Sequence, residues 1–151
     1  MARPMIGEVR RHLAADRTRG GGERCVVSVP TTSARIRRRG YNQAAILARE
    51  VAAGLGLPEQ DALERVSAPR SQTTLSPRAR RENVRGAFRL ADDADVLGRD
   101  VLLVDDVLTT GATGGEAATT LVKAGAASVA LITFARALPW ADASSPRRPA
   151  A

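Results

Sequence analysis

The sequence predicts an α/β domain with a mostly parallel sheet flanked by helices. The predicted strand Asp100 to Asp105 contains an unbroken apolar run, VLLV, and such a run suits a strand that is covered on both faces. A helical pattern follows over Gly114 to Ala124, with Gly125 as its stop, and a second apolar run covers Ser128 to Ala135. Strand, helix and strand in this order form a βαβ unit, and 151 residues are enough for one such domain.

The elements ahead of this unit follow from local patterns. A short helix is predicted over Met5 to Ala15, and a flexible connection over the glycine-rich stretch Arg17 to Glu23. A buried strand is predicted over Arg24 to Val29, because its β-branched run ends at a proline. The patterns then predict a basic loop over Thr31 to Tyr41, a helix over Asn42 to Ala53 stopped by Gly54, a strand over Leu63 to Val66 and a long surface loop over Ala68 to Arg85.

These patterns divide the chain into three parts. Residues 1–23 are expected to form an N-terminal helix and a flexible linker, and residues 24–138 the α/β domain. Residues 139–151 are rich in Pro, Ser, Ala and Arg, a composition that buries too little apolar surface to fold. We therefore expect a disordered tail.

The charge balance indicates an anionic partner. The chain carries 23 basic and 16 acidic residues, a net charge of +7, and Lys123 is the only lysine. Arginine binds phosphate in bidentate geometry, so the excess suits either a small phosphorylated metabolite or nucleic acid. A plainer alternative stays open, in which arginine is simply the residue that keeps an Ala- and Arg-rich chain in solution.

Two classes of protein are disfavoured by the same composition. No apolar run approaches the ~20 residues that span a bilayer, and Arg10, Arg11 and His12 interrupt the N-terminal apolar residues. We therefore expect no membrane association, no signal peptide and a cytoplasmic location. Cys25 is the only cysteine, which excludes an internal disulfide and a cysteine zinc site. Because it lies in an apolar run, we expect a buried structural thiol.

The segment Val101 to Thr113 combines the features of an anion-binding site. A buried strand delivers Asp105 and Asp106 to its carboxyl end, which is where ligands bind in open α/β sheets. A short loop follows, and then a helix begins, whose first N–H groups and dipole attract anions. The predicted phosphate cradle consists of Thr109, Thr110, Gly111, Ala112 and Thr113.

The two acids need a separate explanation, because carboxylates repel phosphate. A sugar lying between them and the phosphate provides one, since Asp105 and Asp106 would accept hydrogen bonds from the 2′- and 3′-hydroxyls of a ribose. The same pair would hold Mg²⁺ through its water shell, since this ion keeps several waters in its sites. Diol-binding acids followed by a phosphate cradle describe a ribose 5-phosphate ligand.

This segment resembles the signature of type I phosphoribosyltransferases that binds 5-phosphoribosyl-1-pyrophosphate (PRPP). Four apolar residues, two acids, two apolar residues and a small Thr/Gly loop fill its positions. The run VLLVDD also opens response-regulator receiver domains, but the phospho-acceptor Asp and the Lys that should follow do not appear in the expected pattern. A Walker A loop is excluded because no Gly-Lys-Ser/Thr is present.

Two further segments are similar to the ComF family. The run VSVP, Val27 to Pro30, and the stretch R-x-R-x-R-G-Y-N-Q, Arg35 to Gln43, resemble that family's VPVP and R-x-R-x-R-G-[FY]-N-Q patterns. Gln72 to Phe88 resembles its Q-x-x-L-S-x-x-x-R-x-x-N-x-x-G-A-F stretch. The resemblance covers Val26 to Ala135 and implies a type I phosphoribosyltransferase fold with a reduced or missing hood, the subdomain that selects the acceptor.

The resemblance also implies a reaction, in which the phosphoribosyl group of PRPP passes to a nitrogen acceptor and pyrophosphate is released. The pyrophosphate would bind Mg²⁺ and the arginine cluster Arg35 to Arg39, and the loop around Gln72 to Asn83 would close over the site and exclude water. A homodimer is compatible with this fold. The residues implied are Arg35, Arg37 and Arg39 for pyrophosphate and Asp105 and Asp106 for ribose and metal-bound water. Asp105, Asp106 and Arg80 are the implied catalytic residues.

The chain departs from the ComF pattern, and the departures leave the acceptor open. The family's four-cysteine zinc module is absent, and its usual His and Pro in the first loop are Thr32 and Ser33. Thr109 stands where 6-oxopurine enzymes place an acidic general base, and Lys123 is misplaced for an orotate enzyme. A second hypothesis is a non-catalytic PRPP sensor or a DNA-uptake accessory of competence, which the sequence pI of about 11.2 favours.

Overall fold

The structure, a computed structural model, describes residues 3–15, 22–66 and 84–136. No helix in these ranges combines the length and apolar character that a bilayer crossing needs. The strands are β1 (Arg24–Ser28), β2 (Glu59–Gln60), β3 (Leu63–Arg65), β4 (Phe88–Leu90), β5 (Asp100–Leu108) and β6 (Ser128–Arg136). The helices are α1 (Arg3–Ala15), α2 (Ser33–Arg39), α3 (Gln43–Leu55) and α4 (Ala112–Lys123).

Four strands form a parallel sheet in the order β2-β1-β5-β6. β5 lies at its centre, pairing with β1 from Asp100 to Val104 and with β6 as far as Leu108. Successive side chains of a strand point to opposite faces, so an apolar run without alternation fills both faces of the sheet. The mostly parallel sheet predicted from the sequence is confirmed.

Two clusters of buried side chains cover the two faces of this sheet. Even-numbered β5 residues belong to one cluster and odd-numbered ones to the other, so α3 and α4 pack on opposite faces. The first cluster contains Met5, Val9, Val26, Leu47, Ala48, Val51, Ala52, Leu102 and Val104. The second includes Cys25, Val27, Ala87, Phe88, Val101, Leu103, Ala117 and Leu121. The buried thiol predicted for Cys25 is confirmed, and α1 contributes to the core through Met5 and Val9.

The connections from β1 and β5 leave the sheet on opposite sides. After β1 the chain passes through α2 and α3 and returns as β2, whereas after β5 it passes through α4 and returns as β6. Because β1 and β5 are neighbours, the gap between their carboxyl ends is a topological switch point. Ligands of open α/β sheets bind at such points, so the fold itself indicates where a site should lie.

The basic loop predicted over Thr31 to Tyr41 is wrong, because this segment contains α2. The Thr32 side chain accepts a hydrogen bond of 3.2 Å from the Arg35 N–H, and Gly40 ends the helix at φ 81°. No residue of α2 is buried. Local caps therefore specify this helix, and it has no apolar face that could have revealed it in the sequence.

Other element boundaries also differ from the predicted ones. α3 continues through Gly54, the predicted stop, and Gly56 ends the helix at φ 69°. Position 54 is a glycine within the helix because the Ile6 side chain packs where a Cβ would lie. β5 runs past Asp105 to Leu108, because β6 keeps pairing with it. α4 begins at Ala112, two residues earlier than predicted. The expected linker around residues 16–21, most of the long surface loop (67–83) and the expected tail (139–151) lie outside the described residues.

Candidate functional site

Asp105 and Asp106 lie where β5 has lost its neighbour β1. The last paired residue of β1 is Ser28, opposite Val104, and the next N–H, from Val29, still donates to the Val104 carbonyl at 2.9 Å. From Asp105 onward, β6 is the only described strand that pairs with β5. The two acids are half-buried and border the switch point.

Hydrogen bonds from the backbone hold both carboxylates at this strand end. The Asp106 N–H donates to Asp105 Oδ1 at 2.9 Å, and the Val107 N–H donates to Asp106 Oδ1 at 2.8 Å. Burial raises the pKa of Asp105 to about 6, and the neighbouring Asp106 carboxylate adds to the rise. The Asp106 N–H and the Arg35 guanidinium lower the pKa of Asp105. Asp105 is therefore mostly ionised at neutral pH. A cation or a hydroxyl donor that approaches it would stabilise its charged form.

The phosphate cradle predicted from the sequence forms the turn between β5 and α4. Gly111 caps the helix at φ 74°, a left-handed conformation that favours glycine, and it brings no side chain to the helix end. Thr110 Oγ1 accepts a hydrogen bond of 3.4 Å from the Ala112 N–H. The first turn of α4 contains no acidic residue, so no carboxylate there competes for its N–H groups. This helix start can accept an anion.

The helix start is held close to the sheet by a second glycine. A Cβ on Gly114 would lie 2.6 Å from Leu131 Cδ2, a distance that real Cβ contacts do not reach. Glycine therefore lets α4 approach β6 closely. Of the cradle residues, Thr109 is exposed, and the rest are half-buried. The cradle is thus reachable from outside while its helix is fixed in the core.

The arginines predicted to bind pyrophosphate lie on the other side of the switch point. Arg35, Arg37 and Arg39 belong to α2, which follows β1, and all three are exposed. Among them Arg35 acts electrostatically on Asp105. Arg37 and Arg39 occupy the last turn, where cations are favoured by the helix dipole. The structure therefore connects Arg35 with the acids and places Arg37 and Arg39 further along an exposed helix.

Asn42 ties the basic helix region to the end of β1. Its Oδ1 accepts a hydrogen bond of 3.2 Å from the Ala44 N–H and caps α3, while its Nδ2 donates to the Val29 carbonyl at 3.3 Å. The ComF-like stretch thus contains an asparagine whose two polar atoms join a strand end to a helix start. The two hydrogen bonds fix the position of the chain between the end of α2 and the start of α3.

Arg65 is a candidate site residue that the sequence patterns did not indicate. It lies opposite Phe88 in the antiparallel hairpin of β3 and β4, and its Cζ is 5.1 Å from the Phe88 ring centroid. Burial lowers the pKa of Arg65, and Arg35 lowers it further, whereas Asp105 acts to raise it. Strand alternation gave a usable signal, because Arg65 shares a face with buried Leu63 and so carries a charge inward.

The hairpin containing Arg65 is anchored to α4. The Gly86 N–H donates to Glu116 Oε1 at 2.7 Å, and Phe88 is buried in the core cluster that also contains Ala117. Arg65 therefore sits on the element that α4 holds beside the acids. The catalytic contact predicted at Arg80 lies outside the described residues, as does Gln72 to Asn83, so that role stays a prediction.

The donor set at the site fits magnesium. The described residues hold no group of three or more His, Cys, Asp or Glu side chains that could enclose a metal ion. Within the described part of the chain, Asp105 and Asp106 are the carboxylates at the strand end beside the cradle. Mg²⁺ is commonly held by one or two carboxylates together with waters and substrate phosphate oxygens. A pair of carboxylates at a strand end fits this mode of magnesium binding.

Comparison with known proteins identifies the family. The family described as phosphoribosyl transferase domain matches residues 9–148. The chain belongs to this family. It is 41% identical over 114 residues to DNA utilization protein YhgH of Salmonella typhi, covering 75% of this chain and 49% of that protein. It is 38% identical over 114 residues to competence protein F of Haemophilus influenzae, covering 74% and 50%.

These relatives confirm the resemblance to ComF proteins. The chain spans about half the length of the curated relatives it matches. Solved structures share the fold of this phosphoribosyl transferase domain. One is a phosphoribosylpyrophosphate synthetase from Mycobacterium smegmatis, with TM-score 0.53 and 22% identity over 89% of this chain and 33% of that one. Another is a hypoxanthine phosphoribosyltransferase from Staphylococcus aureus, with TM-score 0.52 and 15% identity over 88% and 61%. The type I phosphoribosyltransferase fold is thereby confirmed.

Proposed function

We propose that the chain binds PRPP together with Mg²⁺ and transfers its phosphoribosyl group to a nitrogen acceptor. One observation supports this above the others. The switch point of the sheet carries Asp105 and Asp106 on one strand end, directly followed by a glycine-capped helix start without an acid. Carboxylates that accept hydrogen bonds from hydroxyl groups, placed beside an anion site, suit a sugar phosphate. They suit neither a bare anion nor a bare sugar.

Each part of PRPP has a counterpart in this arrangement. The turn Thr109 to Thr113 would anchor the 5-phosphate, and Asp105 with Asp106 would accept hydrogen bonds from the ribose hydroxyls. The two acids would hold Mg²⁺ through its waters, and the ion would help to neutralise the pyrophosphate. Arg35, whose charge acts on Asp105, and Arg65, on which both Arg35 and Asp105 act, would face the pyrophosphate.

The proposed reaction exchanges one bond at C1 of the ribose. The C1–O bond to pyrophosphate breaks, and its electron pair leaves with the pyrophosphate, while the acceptor nitrogen forms a new C1–N bond and loses a proton. Arg35 and Arg65 would stabilise the charge that develops on the leaving oxygen. The carboxylates of Asp105 and Asp106 would favour the positive charge on the ring. The nitrogen acceptor stays open, and a cytoplasmic location remains a prediction from the sequence.

A second candidate is a PRPP sensor or DNA-uptake accessory without turnover. The observation that favours it is α2, a helix with no buried residue and with Arg35, Arg37, Arg38 and Arg39 all exposed. Exposed arginines along one helix suit a nucleic acid backbone. The names of the relatives, DNA utilization protein and competence protein F, fit this candidate as well.

Ligand binding and turnover separate the two candidates. PRPP with Mg²⁺ should raise the melting temperature of the wild-type chain, and the double variant Asp105→Asn/Asp106→Asn should lose this shift. Pyrophosphate release should then be measured across nucleobases and simple amines. The matched control is Asp92→Asn/Asp93→Asn, since these acids are also adjacent but are exposed and lie in the connection after β4 rather than at the end of β5.

The outcomes are distinct for each candidate. Release that disappears in the site variant and persists in the control supports the transferase. Binding without release supports the sensor. DNA binding that weakens with salt, survives Asp105→Asn/Asp106→Asn and is lost in Arg37→Gln/Arg38→Gln/Arg39→Gln supports the accessory role. Absence of any PRPP shift at saturating Mg²⁺ would overturn the proposal.

A further inference from the structure

The side chain of Glu116 links the helix of the phosphate cradle to the hairpin that carries Arg65. Glu116 lies in α4, five residues after the cap Gly111, which corresponds to about 7.5 Å along the helix axis. Its Oε1 accepts a hydrogen bond of 2.7 Å from the Gly86 N–H. A carboxylate that accepts from a backbone N–H at this distance makes a strong, charge-assisted hydrogen bond. A direct polar contact therefore joins α4 to the chain just before β4.

The hydrogen bonds of the hairpin extend this contact to Arg65. The residue after Gly86 is Ala87, whose carbonyl accepts a hydrogen bond of 2.9 Å from the Val66 N–H. Arg65 is the last residue of β3 and directly precedes Val66. A displacement of the Gly86 N–H would therefore also displace the backbone that carries Arg65.

Apolar packing between α4 and the hairpin does not by itself fix the orientation of the hairpin. Phe88 and Ala117 belong to the same core cluster, and both are buried. Burial of apolar surface is non-directional, whereas a hydrogen bond requires a defined distance and angle. The cluster therefore holds the hairpin against α4, and the contact between Glu116 and Gly86 determines how the hairpin is turned.

Glu116 is poorly placed for the ordinary role of an acid near a helix start. The attraction of acids to the helix dipole falls off beyond the first turn, and the first turn of α4 contains no acid. Glu116 lies in the second turn and is the only acidic residue of this helix. A negative charge this near to the cradle works against anion binding. The contact with Gly86 is therefore the role that its position supports.

We propose that Glu116 is a positioning residue that acts through Arg65. By holding the Gly86 N–H, it keeps the hairpin turned so that the Arg65 guanidinium faces the pyrophosphate of PRPP, at a fixed place relative to the phosphate cradle. Asp105 acts to raise the pKa of Arg65, an effect that requires the two charges to lie near each other. This assignment rests on the proposed function, since it gives Glu116 a part in selecting PRPP over ribose 5-phosphate.

Ligand affinities of Glu116→Ala test this role. Alanine is the best helix former, so α4 should persist while the contact with Gly86 is lost. Isothermal titration with Mg²⁺ should show PRPP binding weakened by roughly tenfold, because a small misplacement of a binding group is costly. Ribose 5-phosphate binding should be nearly unchanged. Glu116→Gln keeps an acceptor oxygen and should bind PRPP almost as wild type does.

The matched control is Glu64→Ala. Glu64 forms an ion pair with Arg89 within the same hairpin, and both side chains are 47% exposed, so the pair should contribute little. This variant removes a glutamate from the hairpin and leaves the contact between Glu116 and Gly86 in place. Its affinity for PRPP should match that of wild type.

A double-mutant cycle with Arg65 separates positioning from a general loss of structure. If Glu116 acts through Arg65, Glu116→Ala should cause no further loss of PRPP affinity in the Arg65→Gln background. Additive losses, equal losses for PRPP and ribose 5-phosphate, or a loss in Glu64→Ala as large as that in Glu116→Ala would each overturn the proposal.

Amide hydrogen exchange tests the link without a ligand. In Glu116→Ala the Gly86 and Val66 amides should exchange about tenfold faster than in wild type, because the hairpin end is no longer held to α4. The Ala91 amide is the internal reference, since it donates to the Ala62 carbonyl at 2.9 Å at the other end of the hairpin. Its exchange rate should not change.

The two kinds of measurement distinguish failure of this proposal from failure of the proposed function. Unchanged exchange at Val66 in Glu116→Ala would overturn the positioning role even if wild type binds PRPP. A wild-type chain that binds neither PRPP nor ribose 5-phosphate would overturn the proposed function. The exchange rates would then still decide whether Glu116 holds the hairpin of Arg65 in place.

Discussion

The Asp106 N–H donates a hydrogen bond of 2.9 Å to Asp105 Oδ1, and this contact folds the Asp105 carboxylate back against its own strand. The side chain is left half-buried at the point where β1 has ended. Burial raises the pKa of Asp105 to about 6 despite this hydrogen bond. The fold thus keeps a carboxylate where ionisation is costly, which is expected of a group retained for binding rather than for stability.

Asp105→Asn should stabilise the protein at neutral pH. The folded state binds a proton on Asp105 below about pH 6, whereas the unfolded chain binds it only below about pH 4. The wild-type chain therefore loses stability as pH rises from about 4 to about 6, and asparagine removes this loss. After discounting for partial exposure, we expect a gain of about 1–2 kcal/mol at pH 7.

Urea denaturation at several pH values measures this effect. The stability difference between Asp105→Asn and wild type should shrink as pH falls from 7 toward 4. Asp93→Asn, at an exposed aspartate, should show no such convergence. An Asp105→Asn variant less stable than wild type at pH 7 would contradict the assignment of a costly carboxylate.

Arg65→Gln should weaken binding of PRPP more than binding of ribose 5-phosphate. If Arg65 faces the pyrophosphate, its loss removes a charged hydrogen bond of about 1.5–3 kcal/mol, which corresponds to roughly 10- to 150-fold in Kd. Ribose 5-phosphate lacks that group, so its Kd should change little. Isothermal titration of both ligands with Mg²⁺ gives the comparison.

Arg89→Gln provides the matched control on the same hairpin. Arg89 pairs with Glu64 and Asp92 at 2.5 and 3.1 Å in a solvent-exposed setting, where ion pairs contribute little. Its PRPP affinity should match that of wild type. Equal losses for PRPP and ribose 5-phosphate in Arg65→Gln would show that Arg65 does not act on the pyrophosphate.

The sequence was sufficient to predict the parts of this fold that depend on burial. The run VLLV predicted a strand covered on both faces, and the two faces of β5 do belong to two separate cores. It was insufficient for α2, whose residues are all exposed and whose ends depend on Thr32 and Gly40. Arg65 was missed for a related reason. Its role depends on Asp105 and Arg35, which lie far from it in sequence and near it only after folding.

Asn42→Ala should destabilise the protein by about 1–2 kcal/mol, because it removes both the α3 cap and the bond to the Val29 carbonyl. Asn42→Asp should cost less, since its carboxylate still caps the helix but cannot donate to Val29. Thr32→Ala is the control, because it removes a cap from the fully exposed helix α2 and should cost less again. Chemical unfolding gives the three values. If Asn42→Asp cost no more than Thr32→Ala, the hydrogen bond from Asn42 to the Val29 carbonyl would contribute little to stability.

Two glycines four residues apart should respond to alanine in opposite directions. Gly111 has φ 74°, so Gly111→Ala forces an L-residue into a left-handed conformation, at a cost of about 1–2 kcal/mol. It should also weaken ribose 5-phosphate binding, because the helix start must shift. Gly115 lies inside α4, and a Cβ there meets nothing within 4 Å. Gly115→Ala should therefore stabilise the chain by about 0.5–1 kcal/mol. Paired urea unfolding and ligand titration check both values, and a Gly111→Ala variant that binds ribose 5-phosphate as wild type does would show that this turn does not hold the phosphate.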